Sequence, residues 1–296
     1  MVFNKIIIVP KMSKFEYDIH RLNLNQEQMI NQYKKEKVDV EKIIQSHERQ
    51  HNNLNVLKDR IPQATIISRE HMNREHANNA DLVIPFGGDN HFQYVSHFLD
   101  KTTILGVNSD PFLSEGALTS IRSDKIDEAI ERIKSGNFTI ENWTRLQVWL
   151  NETKVNNYAI SEIFIGEERR RDMSRHILEI NRKKEEQKSS GIIITTGSGS
   201  TGWYDSSIRY LFPEGNKFDK KEKYARFLIT EPYRGKLNGY SMLEGKLDYG
   251  QELNLYSLND SQGNLLIDCL DEFKFLRGDR VKIKISDHPL RVISLS

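Results

Sequence analysis

Four short apolar runs, Ile6 to Val9, Thr65 to Ser68, Asp81 to Phe86 and Thr103 to Asn108, are rich in β-branched residues and separated by longer polar stretches. Runs this short and continuous read as buried parallel strands. Their alternation with helical segments predicts a doubly wound, Rossmann-like α/β domain. In such sheets ligands sit beyond the carboxyl ends of the strands. Gly87-Gly88-Asp89 and Asn108-Ser109-Asp110 both follow strand ends, so they are expected to converge. From about residue 23 to 60 the apolar positions, among them Met29, Tyr33, Ile43, Ile44, Leu54 and Leu57, have the spacing of amphipathic helices. This helical insertion has an apolar face that needs a partner surface, and an intermolecular interface is one candidate.

Past Ser123 the texture changes. A helix from Ile126 to Lys134 ends near Gly136, a suitable C-cap. Short β-rich runs then follow at Arg145 to Leu150, Tyr158 to Ile165, His176 to Ile180, Gly191 to Thr195, Ala225 to Thr230, Gln251 to Leu258, Asn264 to Leu270 and Arg280 to Ile285. They predict a second, mostly β domain of sandwich type. The expected division is residues 1–123 for the α/β domain and 124–296 for the β domain. The charged runs Glu167 to Arg171 and Arg182 to Glu186 are expected in solvated loops or hairpin turns.

Composition narrows the function classes. A chain of 296 residues has ample length for two cores. Its 43 basic and 42 acidic residues leave a formal net charge of +1. That balance gives no concentrated basic surface for a nucleic-acid backbone. No apolar run approaches the length of a membrane span, so no membrane partner is expected. Cys269 is the one cysteine, which rules out an intramolecular disulfide or thiolate cluster and fits a reducing compartment. The expected location is cytoplasmic. Ile267 and Leu270 flank Cys269 closely, so a buried, unreactive thiol is expected there.

His47-Glu48-Arg49-Gln50-His51 matches the zinc-protease pattern His-Glu-x-x-His, with Glu70 or Glu75 as candidate third ligands. The helix around it is strongly polar, whereas a catalytic zinc helix is normally buried in a cleft. A solvated helix face is the preferred reading, and no residue is assigned as a metal ligand.

Three motifs carry chemistry. Gly87-Gly88-Asp89 follows a strand. Paired glycines let backbone N–H groups approach a phosphate, and the carboxylate beside them can orient a hydroxyl or accept its proton. A plain turn explains the tripeptide as well. Thr195-Thr196-Gly197-Ser198-Gly199-Ser200-Thr201-Gly202 follows the strand Ile192-Ile193-Ile194 and offers donors to a nucleotide. A flexible linker is the alternative, less suited to a loop flanked by a buried strand and by Trp203 and Tyr204. Glu162 interrupts an apolar run, so it is expected to be partly buried and to need a partner. A ribose diol and a structural ion pair both fit.

Taken in order, Gly87-Gly88-Asp89, Gly106-Val107-Asn108-Ser109-Asp110-Pro111, Ser114-Glu115-Gly116, Ser161-Glu162, Gln187 to Gly191 and Thr196-Gly197-Ser198-Gly199-Ser200 resemble the NAD kinase family, and most of all its mitochondrial branch. Lys11 after the first strand, with Phe15, Tyr17, Arg21 and the helical insertion, is similar to the opening of that branch. The resemblance covers nearly the whole chain. It implies an NAD kinase/diacylglycerol kinase-like fold, with an N-terminal α/β domain that binds ATP and a C-terminal β-sandwich domain that binds NAD. It also implies transfer of a phosphoryl group from ATP, with Mg2+, to the 2′-hydroxyl of the adenosine ribose of NAD. Asp89 matches the catalytic aspartate. Asn108, Ser161, Glu162, Thr196, Ser198, Ser200 and Thr201 match or flank the NAD-binding positions. Gly87, Gly88, Asn90, His91 and Lys11 are placed with the donor phosphates. Family members are usually homo-oligomers, so a homodimer or homotetramer is expected. Many continue with a terminal segment that returns to the first domain, and none is expected after the run ending at Ile285.

The chain departs from the family at three positions. Gly-Gly-Asp-Gly-Thr becomes Gly-Gly-Asp with Asn90 and His91, and Asn-Glu becomes Ser161-Glu162. Asn90 adds a side chain beside the donor phosphates, which would obstruct ATP or add a hydrogen bond. Protonated, His91 would pair with a phosphate. These changes leave open a pyrophosphate or polyphosphate donor, another nucleoside acceptor, or a non-catalytic NAD(P)-binding protein.

Overall fold

The computed structural model describes residues 3–169, 171–233, 235 and 240–295. The chain forms two compact units. The first is Met1–Glu141 with Arg291–Ser296, and the second is Asn142–Leu290.

The first unit runs β1 (Ile6–Pro10), α1 (Lys14–Leu22), α2 (Gln26–Lys35), α3 (Val40–Arg60), β2 (Thr65–Ile66), α4 (Arg74–Asn78), β3 (Leu82–Phe86), α5 (Asp89–Ser96), β4 (Thr103–Ile104), β5 (Val107–Asn108), β6 (Ile121–Arg122), α6 (Ile126–Lys134) and β7 (Thr139–Trp143). β1 and β3 pair in parallel at the centre, with β2 beyond β1 and β4 and β5 beyond β3. This is the expected doubly wound sheet. Alternation along β1 sends Ile6 and Ile8 to one face, where Leu57 and Ile61 and then Ala129, Ile130 and Ile133 of α6 close the core. The run Thr103 to Asn108 is two short strands rather than one. The chain turns at Gly106, where a Cβ would stand 2.8 Å from the Phe92 ring.

The insertion is helical, as its periodicity predicts. Its apolar face is covered within the unit, without another molecule. Met29, Tyr33 and Phe15 form a satellite core with Val40, Ile43 and Ile44 against it, and Tyr33 Oη donates to buried Asp18 at 2.7 Å. Serine, asparagine and aspartate begin the three helices. The Ser13 and Asn25 side chains accept from the third helical N–H while Glu16 and Gln28 reach back, and Asp39 accepts from Lys42 N.

The second unit runs β8 (Leu146–Leu150), β9 (Thr153–Ala159), β10 (Glu162–Glu167), β11 (Ser174–Ile180), β12 (Lys183–Ser189), β13 (Gly191–Thr195), α7 (Trp203–Ile208), β14 (Tyr224–Thr230), β15 (Glu244–Asp248), β16 (Leu253–Ser257), β17 (Gly263–Ile267), β18 (Asp271–Phe275) and β19 (Arg280–Ile285). Among the described residues these strands make two six-stranded antiparallel sheets, ordered β15-β14-β13-β10-β17-β18 and β12-β11-β16-β19-β8-β9. Alternate residues of both, including Ile163, Ile165, Ile192 and Ile194 from one and Leu178, Leu255, Val281 and Ile283 from the other, fill a common core. α7 covers part of the outer face of the first sheet through Tyr204 and Ile208.

Several expectations need correction. The division falls after Glu141, not 123, because α6 buries its apolar stripe in the first unit. A last strand, β20 (Leu290–Ser294), does return to the first unit, pairing Val292 with Ile104 and burying Ile293. The run Tyr158 to Ile165 is broken at Ile160-Ser161 into β9 and β10. Of the charged run from Arg182, only the turn Asn181-Arg182 is irregular, with φ of 53° and 65°, and the rest extends β12. The earlier run holds Glu167 in β10, and Arg170 lies outside the described residues. Cys269 is exposed, not buried.

Leu57 is fully buried in the core beneath the sheet although it belongs to the insertion. Leu57→Ala should therefore destabilise the first unit by about 3 kcal/mol, read from the denaturant midpoint. A change below a few tenths would mean that α3 is an appendage.

Candidate functional site

In the first unit the site forms where β3 meets α5. Gly87 N–H donates to Val107 O at 2.9 Å, which ties the loop to β5. Gly88 is the N-cap of α5 and Asp89 its first residue. Asp89 Oδ2 accepts from Ala117 N at 2.9 Å and Oδ1 from Leu118 N at 2.8 Å. Each carboxylate oxygen keeps lone-pair capacity for one more partner. The α5 ladder begins with His91 N and Phe92 N on Gly88 O at 3.0 Å, so the N–H groups of Asp89 and Asn90 lie ahead of it, a ready arrangement for anionic oxygens.

Those two donors depend on the loop after β5. Asn108 is buried and holds it closed, with Nδ2 donating to Ser114 O at 2.8 Å and Oδ1 accepting from Asp110 N at 3.2 Å. Gly116 sits at φ 69°, where a Cβ would stand 2.5 Å from Asn108 Nδ2. From outside, α3 grips the loop. Ser46 Oγ donates to Asp110 Oδ2 at 2.5 Å, Arg49 pairs with the same carboxylate at 3.1 Å, and Ser109 Oγ donates to Gln50 at 3.2 Å. So the convergence of Asp89 with the Asn108 loop holds. Both ends of the Asn108 amide are occupied by the loop itself.

His91 does not play the role its position suggested. Its side chain is fully buried against Gly87, where a Cβ would stand 2.7 Å from the ring. Nε2 donates to Val9 O at 2.7 Å, which leaves Nδ1 as acceptor for Arg69 at 3.3 Å. Desolvation lowers its pKa to about 3, with Arg69 and Lys11 adding to the effect, so the ring is neutral and no cationic phosphate partner. The positive charges beside the ring belong to Lys11 and Arg69. Burial and the Arg69 charge lower the Lys11 pKa, and Arg69 lies 4.0 Å above the Tyr94 ring. Arg69 opens a short 3-10 helix (Arg69–His71) just after β2 and belongs to no motif, so nothing in the sequence marked it. Asn90 is exposed in the first turn of α5, and its side chain makes no hydrogen bond among the described residues.

In the second unit the interrupted strand is the feature that matters. Asp268 accepts from Ile160 N at 2.8 Å, Ser161 N at 2.8 Å and Glu162 N at 3.0 Å, so one carboxylate satisfies three donors at the break. Opposite, Ser161 O accepts from Thr196 N at 2.9 Å, and the Thr195 and Thr196 hydroxyls bond the same turn. Asp268 and Cys269 adopt left-handed φ of 51° and 54° in the turn between β17 and β18. Glu162 is thereby fixed, 9% exposed, with no side-chain hydrogen bond among the described residues. Desolvation, with the Asp268 charge adding, raises its pKa to about 8. Partial desolvation, then Glu162 and Asp268, push the Cys269 thiol to about 11, which keeps it unreactive.

The glycine-serine loop is well ordered by contacts. At Gly199 a Cβ would stand 2.4 Å from Ser161 O, and at Gly197 2.1 Å from Asp219 O. Both glycines serve close backbone packing. Ser200 Oγ donates to Gly197 O at 2.7 Å, whereas Ser198 Oγ is buried without a hydrogen-bond partner among the described residues. Thr201 is exposed, and Trp203 stacks on Phe164 with ring centroids 4.7 Å apart.

No family model matches the chain. Among curated proteins it is 30% identical to the NAD kinase of Corynebacterium diphtheriae over 163 residues, 52% of this chain and 50% of that one. It is 23% identical to the mitochondrial NAD kinase 2 of Rattus norvegicus over 251 residues, 68% of this chain and 59% of that one. The chain spans about half the length of the curated relatives it matches. Its fold superposes on the crystal structure of an NAD kinase from Archaeoglobus fulgidus in complex with ATP, with a TM-score of 0.66 and 14% identity, covering 99% of this chain and 93% of the other.

Burial of Glu162 has a stability consequence. Between about pH 4.5 and 8 the folded chain holds a proton that the unfolded chain has released, so stability falls as pH rises through that window. Glu162→Gln should raise Tm relative to the parent at pH 8 and change it little at pH 5. The same shift at both values would contradict the assignment.

By sequence over about half its length, and by fold over nearly all of it, this chain is similar to NAD kinases.

Proposed function

We propose that the chain is an NAD kinase, transferring the terminal phosphoryl group of ATP to the 2′-hydroxyl of the adenosine ribose of NAD to give NADP. The observation that carries this reading is Asp89. Its carboxylate is fixed by two backbone N–H groups at the carboxyl end of β3, at the start of α5. A carboxylate held this way stays aimed while a free lone pair accepts the hydroxyl proton, so no reorganisation is needed as the oxygen attacks. Lys11, Arg69 and the opening N–H groups of α5 neutralise the donor phosphates. Mg2+ entering with ATP would further neutralise those phosphates, and the remaining lone pairs of Asp89 suit a hard cation. In the second unit, Glu162 and Ser198 Oγ are buried and short of partners, which suits the hydroxyls of a nucleotide. ATP is the proposed donor because Asn90 is exposed and leaves the backbone of the loop clear.

No helix among the described residues is long and apolar enough to cross a membrane. With the single cysteine, this supports a cytoplasmic location. Tyr210, Leu211 and Phe212 follow α7 in series and are 92%, 51% and 44% exposed. Such a patch supports a homodimer or homotetramer.

The test is steady-state kinetics of Asp89→Asn with NAD and Mg-ATP. The expected result is a fall in kcat of about 10²- to 10⁴-fold, with the affinity for NAD within threefold of the parent. A variant that keeps its turnover would refute the role of Asp89. A parent that binds NAD and transfers nothing would make the chain a binding protein.

A further inference from the structure

Helix α3 carries His47 and His51 one turn apart, with ring centroids 4.4 Å from each other. Glu16 of α1 stands against them, its Oε1 2.8 Å from His51 Nε2. One donor atom from each of the three lies within 4.8 Å of the others. We propose that Glu16, His47 and His51 form a site for a late first-row divalent cation, Zn2+ in the first instance, joining α1 to α3. The site shares no residue with the Asp89 loop and does not depend on the proposed kinase activity.

Geometry and orientation both fit. Tetrahedral Zn2+ with bonds of about 2.0–2.1 Å sets its ligand atoms about 3.4 Å apart. His51 Nε2 and Glu16 Oε1 need to part by roughly half an ångström, and the wider separations to close by little more than one. Two of the three ligands, Glu16 and His47, are also held from behind. Glu16 Oε2 accepts from Ser13 N at 2.8 Å in the capping box, which leaves Oε1 facing the histidines. Ser13 Oγ lies 2.8 Å from His47 Nδ1, so Nε2 of that ring is the ligand atom. Two imidazoles and one carboxylate are a donor set that zinc-class ions favour over Mg2+ or Ca2+.

The third ligand comes from α1, not from Glu70 or Glu75. Both of those are exposed, and so is Glu48, in the position of a protease base. Three protein ligands leave a coordination position for water. The adjacent residues Ser46, Arg49 and Gln50 grip the loop that holds Asp89. A bound ion would brace the helix that carries this grip.

The test is titration of the intact, chelator-treated chain with Zn2+ by calorimetry, and with Co2+ by visible absorption. The expected result is one ion per chain and the intense visible bands of tetrahedral Co2+. Glu16→Gln preserves the capping box, because glutamine serves it equally, yet removes the carboxylate. Glu16→Gln and His51→Ala should each weaken Zn2+ binding by more than the roughly 10- to 100-fold that loss of an outer-shell partner costs. Far-ultraviolet dichroism of both should match the parent. No saturable Zn2+ binding, or binding unchanged in both variants, would overturn the proposal.

Discussion

The first unit is organised around a carboxylate held by two backbone N–H groups. Asp89 takes its donors from Ala117 and Leu118, twenty-eight and twenty-nine residues away in the chain. Those donors arrive only if the loop after β5 closes correctly. Asn108 closes it from within, Gly116 supplies the conformation it needs, and Ser46, Arg49 and Gln50 secure it from α3. Hydrogen bonds to a charged acceptor are among the stronger ones in a protein. The arrangement therefore fixes both the geometry of Asp89 and the position of the insertion. His91, neutral and buried, does the same for Arg69 on the other side of the loop.

The second unit uses the same device with another residue. Asp268 gathers three backbone donors at the point where β9 gives way to β10, and so places Glu162. A buried carboxyl with a raised pKa and no partner costs stability above its ordinary titration range. Native chains keep such groups where a ligand meets them. Ribose hydroxyls would satisfy Glu162 in its charged form and release its proton.

Much of this was legible in the sequence, for identifiable reasons. The parallel strands were visible because residues buried on both faces form continuous β-branched runs. The helices of the insertion were visible from their apolar spacing. Asp89, Asn108 and Glu162 stood out beside glycines or within apolar runs. Asp268 and Arg69 did not, because their importance comes from partners about a hundred and about twenty residues away. The role of His91 was misjudged because local sequence does not report burial, and burial decides its charge. The boundary was misplaced because α6 reads equally well as the end of one unit or the start of the next. The break at Ile160-Ser161 was hidden because both residues suit a strand, and only Asp268 reveals the turn.

The most direct measurement is the product itself. The chain would be incubated with NAD and Mg-ATP, and the recovered dinucleotide fragmented in a mass spectrometer. The account predicts one added phosphoryl group on the adenosine ribose. NAD recovered unmodified from a folded chain that binds both nucleotides would contradict it.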